Sequence, residues 1–394
     1  MAANPASGPV AVRGSWLFDG TGSPLIADPV VVVAGGVITG IGFAGPAPAG
    51  VPVIDLPGAT LLPGLIDLHV HLAFDAGPDP VAALADRDDD AALAAMVLAG
   101  RNALRGGVTT VRDLGDRGYL ALQLRGRPDL PTILAAGPPL TTPGGHCYYL
   151  GGVVEPTEPA IRRAVAEHAD RGVDVVKVMA SGGTLTPGTR QELAQFDAAL
   201  LRAAVDEAHR RGLPLVAHAH AVPAIDNAVA AGVDGIEHCS FWTAGGNAAS
   251  DEQIAAIVAA GIFVGATLGQ VSIPGVAPPA EVMRRLPQII DIHRRLYAAG
   301  ARTVVGTDGG IGPTKPHDVL RTAPDMLRGI GFSPAEALRT ITSVAAGVLG
   351  LDRRKGTLAV GHDADLLAVD GDPLADPTAL QRVRQVFIGG RPVR

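Results

Sequence analysis

Short apolar runs rich in valine, isoleucine and leucine alternate with amphipathic stretches through the middle of the chain. Eight runs have the length and composition of buried strands: residues 64–71, 108–113, 132–136, 173–179, 215–218, 235–238, 262–266 and 303–307. Apolar spacings of three and four predict helices between them, at residues 90–105, 158–171, 198–211, 223–232, 251–260 and 283–299. The alternation predicts an α/β fold, a (β/α)8 TIM-like barrel of parallel strands.

The two ends of the chain follow a different pattern. Residues 10–59 alternate valine-rich runs with Gly and Pro turns, and residues 356–390 again read as strand and turn. Both ends are therefore predicted to be β-structure. The chain has 394 residues, more than the roughly 250 of one barrel, which leaves material for a smaller domain.

Metal-binding side chains stand at the ends of several apolar runs. His69 and His71 are two residues apart in a strand pattern, so both imidazoles face the same side and can reach one ion. Lys177 lies inside the run 173–179, where a lysine must reach solvent, lose its proton or bind something. A desolvated amine beside divalent ions can react with carbon dioxide and become a bridging carbamate.

Three further side chains complete this pattern. His218 and His238 end two runs that a predicted helix connects, and Asp308 follows the last run. Each has an ordinary alternative when taken alone, such as a solvated histidine or a turn at Asp-Gly-Gly. Together they fall where parallel strands end, which is where barrel enzymes carry their active sites.

The pattern resembles the amidohydrolase superfamily, in its binuclear subtype with a carboxylated lysine. The similarity is carried by Leu62-Pro63-Gly64-Leu65-Ile66-Asp67 before the first histidines, by Lys177 before Gly182-Gly183, by Ile236-Glu237-His238 and by Gly306-Thr307-Asp308. Residues 176–183 and His218-Ala219-His220 are similar to the branch of Xaa-Pro and Xaa-Arg dipeptidases and ochratoxinase-like amidases.

The resemblance implies a small β-sandwich domain made of residues 1–60 and 352–394, beside a hydrolase barrel of residues 61–351. It also implies two divalent metal ions, for which we expect zinc. One ion would be held by His69, His71, Asp308 and the Lys177 carbamate, and the other by the second carbamate oxygen, His218 and His238.

This ligand set predicts hydrolysis of a small molecule by a metal-bridging hydroxide, with Asp308 passing the proton to the leaving nitrogen. We expect an amide substrate such as a dipeptide or an N-acyl amino acid. One alternative is a cyclic amide, lactone or ester in a natural product or xenobiotic, and another is an inactive barrel that serves as an assembly protein. A homo-oligomer is also expected.

Four residues are candidates for substrate contact. In the family branch a Gly-Gly-His loop touches substrate, which assigns this role to His146 and extends it to Tyr148, although an ordered surface loop explains the tyrosine equally well. His220 shares the strand face of His218, so it can either support the metal ligands from behind or face substrate. Arg190 is a candidate carboxylate clamp, with a solvated arginine as the alternative. The two cysteines, Cys147 and Cys239, read as small apolar fillers.

Composition and charge restrict the kinds of partner and the location expected for the protein. The formal charge of -7, from 32 basic and 39 acidic residues, excludes a nucleic-acid partner. The uncharged segment 29–54 contains repeated Gly and Pro, so no membrane span is expected. Residues 1–5 lack the basic and apolar regions of a secretory signal, and we therefore expect a cytoplasmic protein.

Overall fold

The computed structural model of the protein describes residues 8–276 and 280–393. Residues 1–5, on which the expectation about a secretory signal rests, lie outside this part. Among the helices that are described, none has the length and apolar character needed to cross a membrane. The fold is mixed α/β with sheets of parallel strands, as the alternating pattern predicts.

Strands alternate with helices through the middle of the chain, and strands dominate both ends. In the described residues the strands are β1 (Val10–Leu17), β2 (Ile26–Ala27), β3 (Pro29–Ala34), β4 (Val37–Phe43), β5 (Val53–Pro63), β6 (Leu65–Val70), β7 (Val108–Asp113), β8 (Thr132–Ala135), β9 (Val176–Met179), β10 (Leu215–Ala221), β11 (Gly235–Thr243), β12 (Gly246–Asn247), β13 (Phe263–Thr267), β14 (Thr303–Gly306), β15 (Leu366–Asp370), β16 (Val383–Ile388) and β17 (Arg391–Pro392). The helices in the same part are α1 (Pro80–Ala85), α2 (Asp89–Arg105), α3 (Glu158–Arg171), α4 (Ala198–Arg210), α5 (Val222–Ala231), α6 (Asp251–Ala259), α7 (Ala280–Ala298), α8 (Ala323–Ile330), α9 (Pro334–Thr340) and α10 (Ser343–Val348).

Each of the eight predicted parallel strands is present. They form one sheet in the order β6-β7-β8 and a second whose main path is β14-β13-β11-β10-β9. The edges of the two sheets face each other on both sides: the Asp308 amide donates to the His69 carbonyl at 2.7 Å, and the Asp174 amide donates to the Ala135 carbonyl at 2.9 Å. Parallel pairing places the carboxyl ends of all these strands at one end of the structure.

Side chains cap the first turns of helices α1, α2, α4, α6 and α9. At α9, Ser333 accepts from the Glu336 amide while the Glu336 side chain accepts from the Ser333 amide, with Pro334 as the first helical residue. This reciprocal arrangement satisfies two amides that have no partner inside the helix. Helices α2, α3, α4 and α6 begin within one residue of their predicted first positions.

The two ends of the chain share one eight-stranded sheet, in which β15 pairs antiparallel with β5 and β1 pairs parallel with β5. Its apolar core includes Val12, Val31 and Leu61 from the amino-terminal part and Leu366 and Phe387 from the carboxyl-terminal part. The end segments therefore depend on each other for burial of their apolar faces.

The interior between the eight parallel strands is filled by side chains. Ile66, Leu68, Val216, Phe263 and Val304 belong to one buried cluster below the carboxyl ends of the strands. A cavity of about 600 Å³ lies at the opposite end, lined by the residues that precede β9, β10, β11 and β14. The predicted metal ligands do not line this cavity.

Candidate metal centre

The predicted ligands meet at the carboxyl ends of the parallel strands. His69 is on β6, Lys177 on β9, His218 on β10 and His238 on β11, and Asp308 lies two residues after β14. His238 and Asp308 have positive φ angles of 69° and 59°. This conformation is costly for residues other than glycine and occurs often at functional sites.

The first group of candidate ligands contains His69, His71 and Asp308, whose potential ligand atoms lie within 4.8 Å of one another. The Asp308 Oδ1 atom is 3.5 Å from His69 Nε2 and 3.3 Å from His71 Nε2. His71 donates from Nδ1 to the Gly115 carbonyl at 3.1 Å, and His69 Nδ1 contacts the Glu237 carboxylate at 2.9 Å. Both Nε2 atoms are therefore left to face Asp308.

Within this group, burial and the nearby charges shift the pKa values of the side chains in opposite directions. Burial lowers the pKa of His69 to about 4. Burial also opposes the charged form of His71, but the hydrogen bond to Asp308 raises the pKa of that imidazole above its ordinary value. Although burial alone would raise the pKa of Asp308, the nearby His69 and His71 hold it below its usual range. The carboxylate is thus ionised, as a metal ligand must be.

The second group contains His218, His220 and His238, again with ligand atoms within 4.8 Å of one another. His238 Nδ1 is 3.1 Å from Thr267 Oγ1, and His218 Nε2 donates to the Gly182 carbonyl at 3.1 Å. Burial lowers the pKa of His218 and His238 well below the ordinary value and that of His220 to about 3. All three rings are therefore neutral at pH 7, with electron pairs available for a metal.

His220 joins this group, for which the sequence leaves open a place behind the metal ligands or a contact with substrate. Its ring stacks on the ring of His238, with centroids 4.4 Å apart and an interplanar angle of 20°. Its Nδ1 atom is 2.7 Å from Ser240 Oγ. Imidazole ligands bind an ion in the plane of the ring, and two rings stacked face to face cannot both point at one ion in this way. The stacking favours a position beside the metal ligands.

Lys177 lies in the protein interior, only 1% exposed, and its charge acts on histidines of both groups. Its Nζ atom has no hydrogen-bond partner in the described part of the chain. Burial lowers the pKa of this amine to about 8, against the opposing effect of the charges on Glu237 and Asp308. A buried amine without an acceptor costs free energy.

The loops that follow β8 and β9 hold His146 against the second group. The His146 ring is 4.8 Å from the ring of His218. Its Nδ1 atom is 3.0 Å from Thr186 Oγ1, and its amide donates to Gln195 Oε1 at 2.6 Å. A Cβ atom at Gly183 would collide with the imidazole, so only glycine fits beneath it.

Two other predicted contacts lie on the outside of these loops. Tyr148 is 48% exposed and contacts the ring of Tyr149 at 5.7 Å. The Arg190 side chain is 60% exposed and donates from Nη2 to Glu192 at 2.6 Å. Neither residue belongs to the two ligand groups. Cys147 and Cys239 are buried and unpaired, and burial raises the pKa of the Cys147 thiol to about 12.

The sequence does not identify the polar residues behind the ligands. Asp67 accepts from the amide and the hydroxyl of Thr307, and Asp113 accepts from the amides of Leu72 and Gly115. Lys315 donates to the carbonyls of Thr267 and Thr307, close to Asp308. The sequence carries one signal for four of these residues, a charged side chain within an apolar strand pattern: Asp67, Arg112, Asp113 and Glu237. This signal indicates that the side chain is buried, but it does not identify the residue that it contacts.

Comparison with known proteins identifies the family. A sequence profile of the Amidohydrolase family matches residues 60–393. The chain belongs to this family. Ochratoxinase of Aspergillus niger is 29% identical over 373 residues, which cover 84% of this chain and 75% of the relative. An uncharacterised protein of Mycobacterium tuberculosis is 31% identical over 352 residues, covering 85% of each chain.

Solved structures agree with this assignment. A Xaa-Pro dipeptidase with methionine bound in its active site superposes with a TM-score of 0.85 at 25% identity, covering 98% of this chain and 99% of that chain. The expected resemblance to the dipeptidase and ochratoxinase branch is confirmed. Amidohydrolases generally use divalent metals, and membership supports an enzyme that hydrolyses amide bonds.

Proposed function

We propose that the protein is a binuclear metal-dependent hydrolase that cleaves the amide C–N bond of a dipeptide or an N-acyl amino acid. The observation that carries this proposal is the presence of two candidate metal-ligand groups together with Lys177, a buried amine that has no hydrogen-bond partner among the described residues and whose charge acts on both groups. The relatives support the substrate class, because one is a Xaa-Pro dipeptidase and another is an ochratoxinase.

The residues fit two divalent ions, with zinc as the expected metal. His69, His71 and Asp308 supply two neutral nitrogens and one carboxylate, while His218 and His238 supply nitrogens only. Carboxylation of Lys177 would convert the unpartnered amine into an anion that serves both groups. This would remove the cost of the buried donor and add the negative charge that the second group lacks.

When bound, the two ions would activate water and polarise the substrate carbonyl. Asp308 is the residue suited to move the proton, because its Oδ1 atom lies beside both His69 and His71 at the mouth of the strands. Its carboxylate would accept a proton from water and return it to the leaving nitrogen. An amine leaves poorly without that proton, so this step matters more for amides than for esters.

Four side chains are proposed to bind the rest of the substrate. His146 and His220 lie against the second ligand group and offer ring nitrogens at its edge. Tyr148 and Arg190 are further out and exposed, so we assign them to the outer part of the substrate. A dipeptide or N-acyl amino acid carries a carboxylate, which Arg190 would bind after releasing Glu192.

This function requires a particular architecture. The contacts between β14 and β6 and between β8 and β9 support a closed eight-stranded barrel over residues 61–351. Residues 1–60 and 352–394 are proposed to form a β-sandwich beside it. The bridge between Val37 and Asp363 and the shared core support this, because they bring the far strands of one curved sheet together.

Metal analysis and a substrate screen test the proposal. Protein produced with zinc or manganese should contain two divalent ions per chain, and the loaded enzyme should hydrolyse members of a dipeptide and N-acyl amino acid library. One equivalent of metal or none contradicts the binuclear site. Cleavage of esters or lactones without cleavage of amides would reverse the substrate class, and a metal-free protein inactive in every assay would favour an assembly role.

A further inference from the structure

A chain of charged groups crosses the interior beneath His69 and links three strands. Glu237 on β11 contacts His69 Nδ1 on β6 through Oε2 at 2.9 Å. Through Oε1 it accepts a hydrogen bond from Arg112 Nη2 on β7 at 2.8 Å. Arg112 also donates from Nε to the Leu68 carbonyl at 2.7 Å, one residue before His69. The chain therefore holds both the ring and the backbone beside this ligand.

The burial of these groups is nearly complete. Glu237 is fully buried, and Arg112 is 2% exposed with its guanidinium over the ring of Phe263. On the neighbouring β13, a Cβ at Gly265 would collide with the Glu237 carboxylate. An apolar pair of similar volume is often as stable as a buried ion pair. Fold stability alone therefore does not account for a charged pair at this position.

We propose that Glu237 and Arg112 are positioning residues for metal binding, rather than parts of the core alone. The Glu237 carboxylate holds His69 with its proton on Nδ1, so that Nε2 faces Asp308, and Arg112 holds that carboxylate in place. A carboxylate behind a ligand imidazole also increases the basicity of the nitrogen that binds metal. This inference rests on the proposed function only in taking His69 as a metal ligand.

The Glu237→Gln variant tests the carboxylate while keeping its shape. Apoprotein prepared with a chelator is titrated with Zn²⁺ against a coloured competing chelator, and thermal unfolding is recorded in parallel. We expect metal affinity at one of two sites to fall by about 10- to 100-fold, the effect usual for such partners. Asp365→Asn is the matched control, since Asp365 and Lys355 form a buried ion pair outside the ligand groups; it should lose stability without losing metal affinity.

The double variant Glu237→Gln with Arg112→Met separates positioning from stability. It removes the unpaired cation that the single variant leaves buried, so unfolding temperature should recover at least in part. Metal affinity should stay low, because the carboxylate behind His69 is still missing. If Glu237→Gln does not fold, the metal affinity of the double variant alone tests the positioning role.

The outcomes distinguish this inference from the proposed function. Normal affinity in Glu237→Gln, or recovery of affinity together with stability in the double variant, overturns the positioning role. A wild-type protein that binds two ions but cleaves no amide contradicts the proposed substrate while leaving the positioning role intact. A wild-type protein that binds no metal overturns both.

Discussion

The two ligand groups reach the same end of the strands but differ in charge. His69 and His71 have a carboxylate in front of them, Asp308, and His69 has another behind it, Glu237. The group of His218, His220 and His238 forms no ion pair with a carboxylate in the residues that the structure describes. Its Nδ1 and Nε2 atoms contact hydroxyl and carbonyl oxygens instead.

This difference shows what each group needs in order to hold a divalent cation. The first group already contains the negative charge that balances an ion, whereas the second contains only neutral rings. A cation in a poorly solvated site requires compensating charge. The proposed carbamate of Lys177 would provide it, which would make the second group the more dependent on this residue.

The largest effect is expected from Lys177→Ala. Removing the proposed shared anion should lower kcat/KM by about 10³-fold, the upper end for loss of one strong electrostatic group. Acetate or propionate should restore part of the activity by supplying a substitute carboxylate. Metal analysis should show a lower metal content in the variant than in the wild type. Rescue by alkylammonium ions instead of carboxylates would contradict a carbamate at this position.

Asp308→Asn tests the first group, in which the Asp308 carboxylate already supplies negative charge. The amide keeps the shape and a neutral oxygen but removes basicity, so amide turnover should fall by about 10²-fold or more while much of the metal remains. Esters should be less affected than amides. His71→Asn is the comparison variant, since it should release metal. Near-normal amide turnover in Asp308→Asn would assign the proton transfer elsewhere, with His146 and His220 as the next candidates.

The pH dependence of reactivation by Zn²⁺ tests the lowered pKa of Lys177, on which the proposed charge of the second group depends. Burial lowers the pKa of Lys177 to about 8 from an ordinary value of 10.5, and only the neutral amine reacts with carbon dioxide. Its neutral fraction rises from about one tenth at pH 7 to about nine tenths at pH 9. The initial rate at which apoprotein regains activity with Zn²⁺, at fixed dissolved carbon dioxide, should therefore rise about tenfold. An ordinary lysine would give an increase of about 100-fold over the same range.

The sequence was sufficient for the strands and for the order of the ligands along them. A candidate ligand such as His69 or His238 comes directly after apolar residues, so a local pattern predicts the strand on which it lies. His69 is one residue before the end of β6, whereas β11 continues for five residues beyond His238. The capped start of α9 is likewise encoded within four residues, Ser333 to Glu336. Features of this kind depend on neighbours in the chain.

Features that depend on packing between distant strands were not predictable. The sequence shows that Arg112 and Glu237 are charged residues in apolar runs, but 125 positions separate them, and no local pattern pairs them. The stacking of His220 on His238 also depends on how β10 and β11 align. The same holds for His146 and Thr186, which come from different loops.

The smallest effect is expected from Ser240→Ala, which tests whether His220 belongs to the metal or to the substrate. The change removes the contact at 2.7 Å between Ser240 Oγ and His220 Nδ1, worth about 0.5–1.5 kcal/mol, or about 2- to 10-fold. If His220 faces substrate, KM should rise by this factor while kcat and metal content stay unchanged. Thr267→Val removes the corresponding contact from the ligand ring of His238 and should weaken metal binding instead. Equal losses of metal affinity in the two variants would make His220 a ligand of the second group.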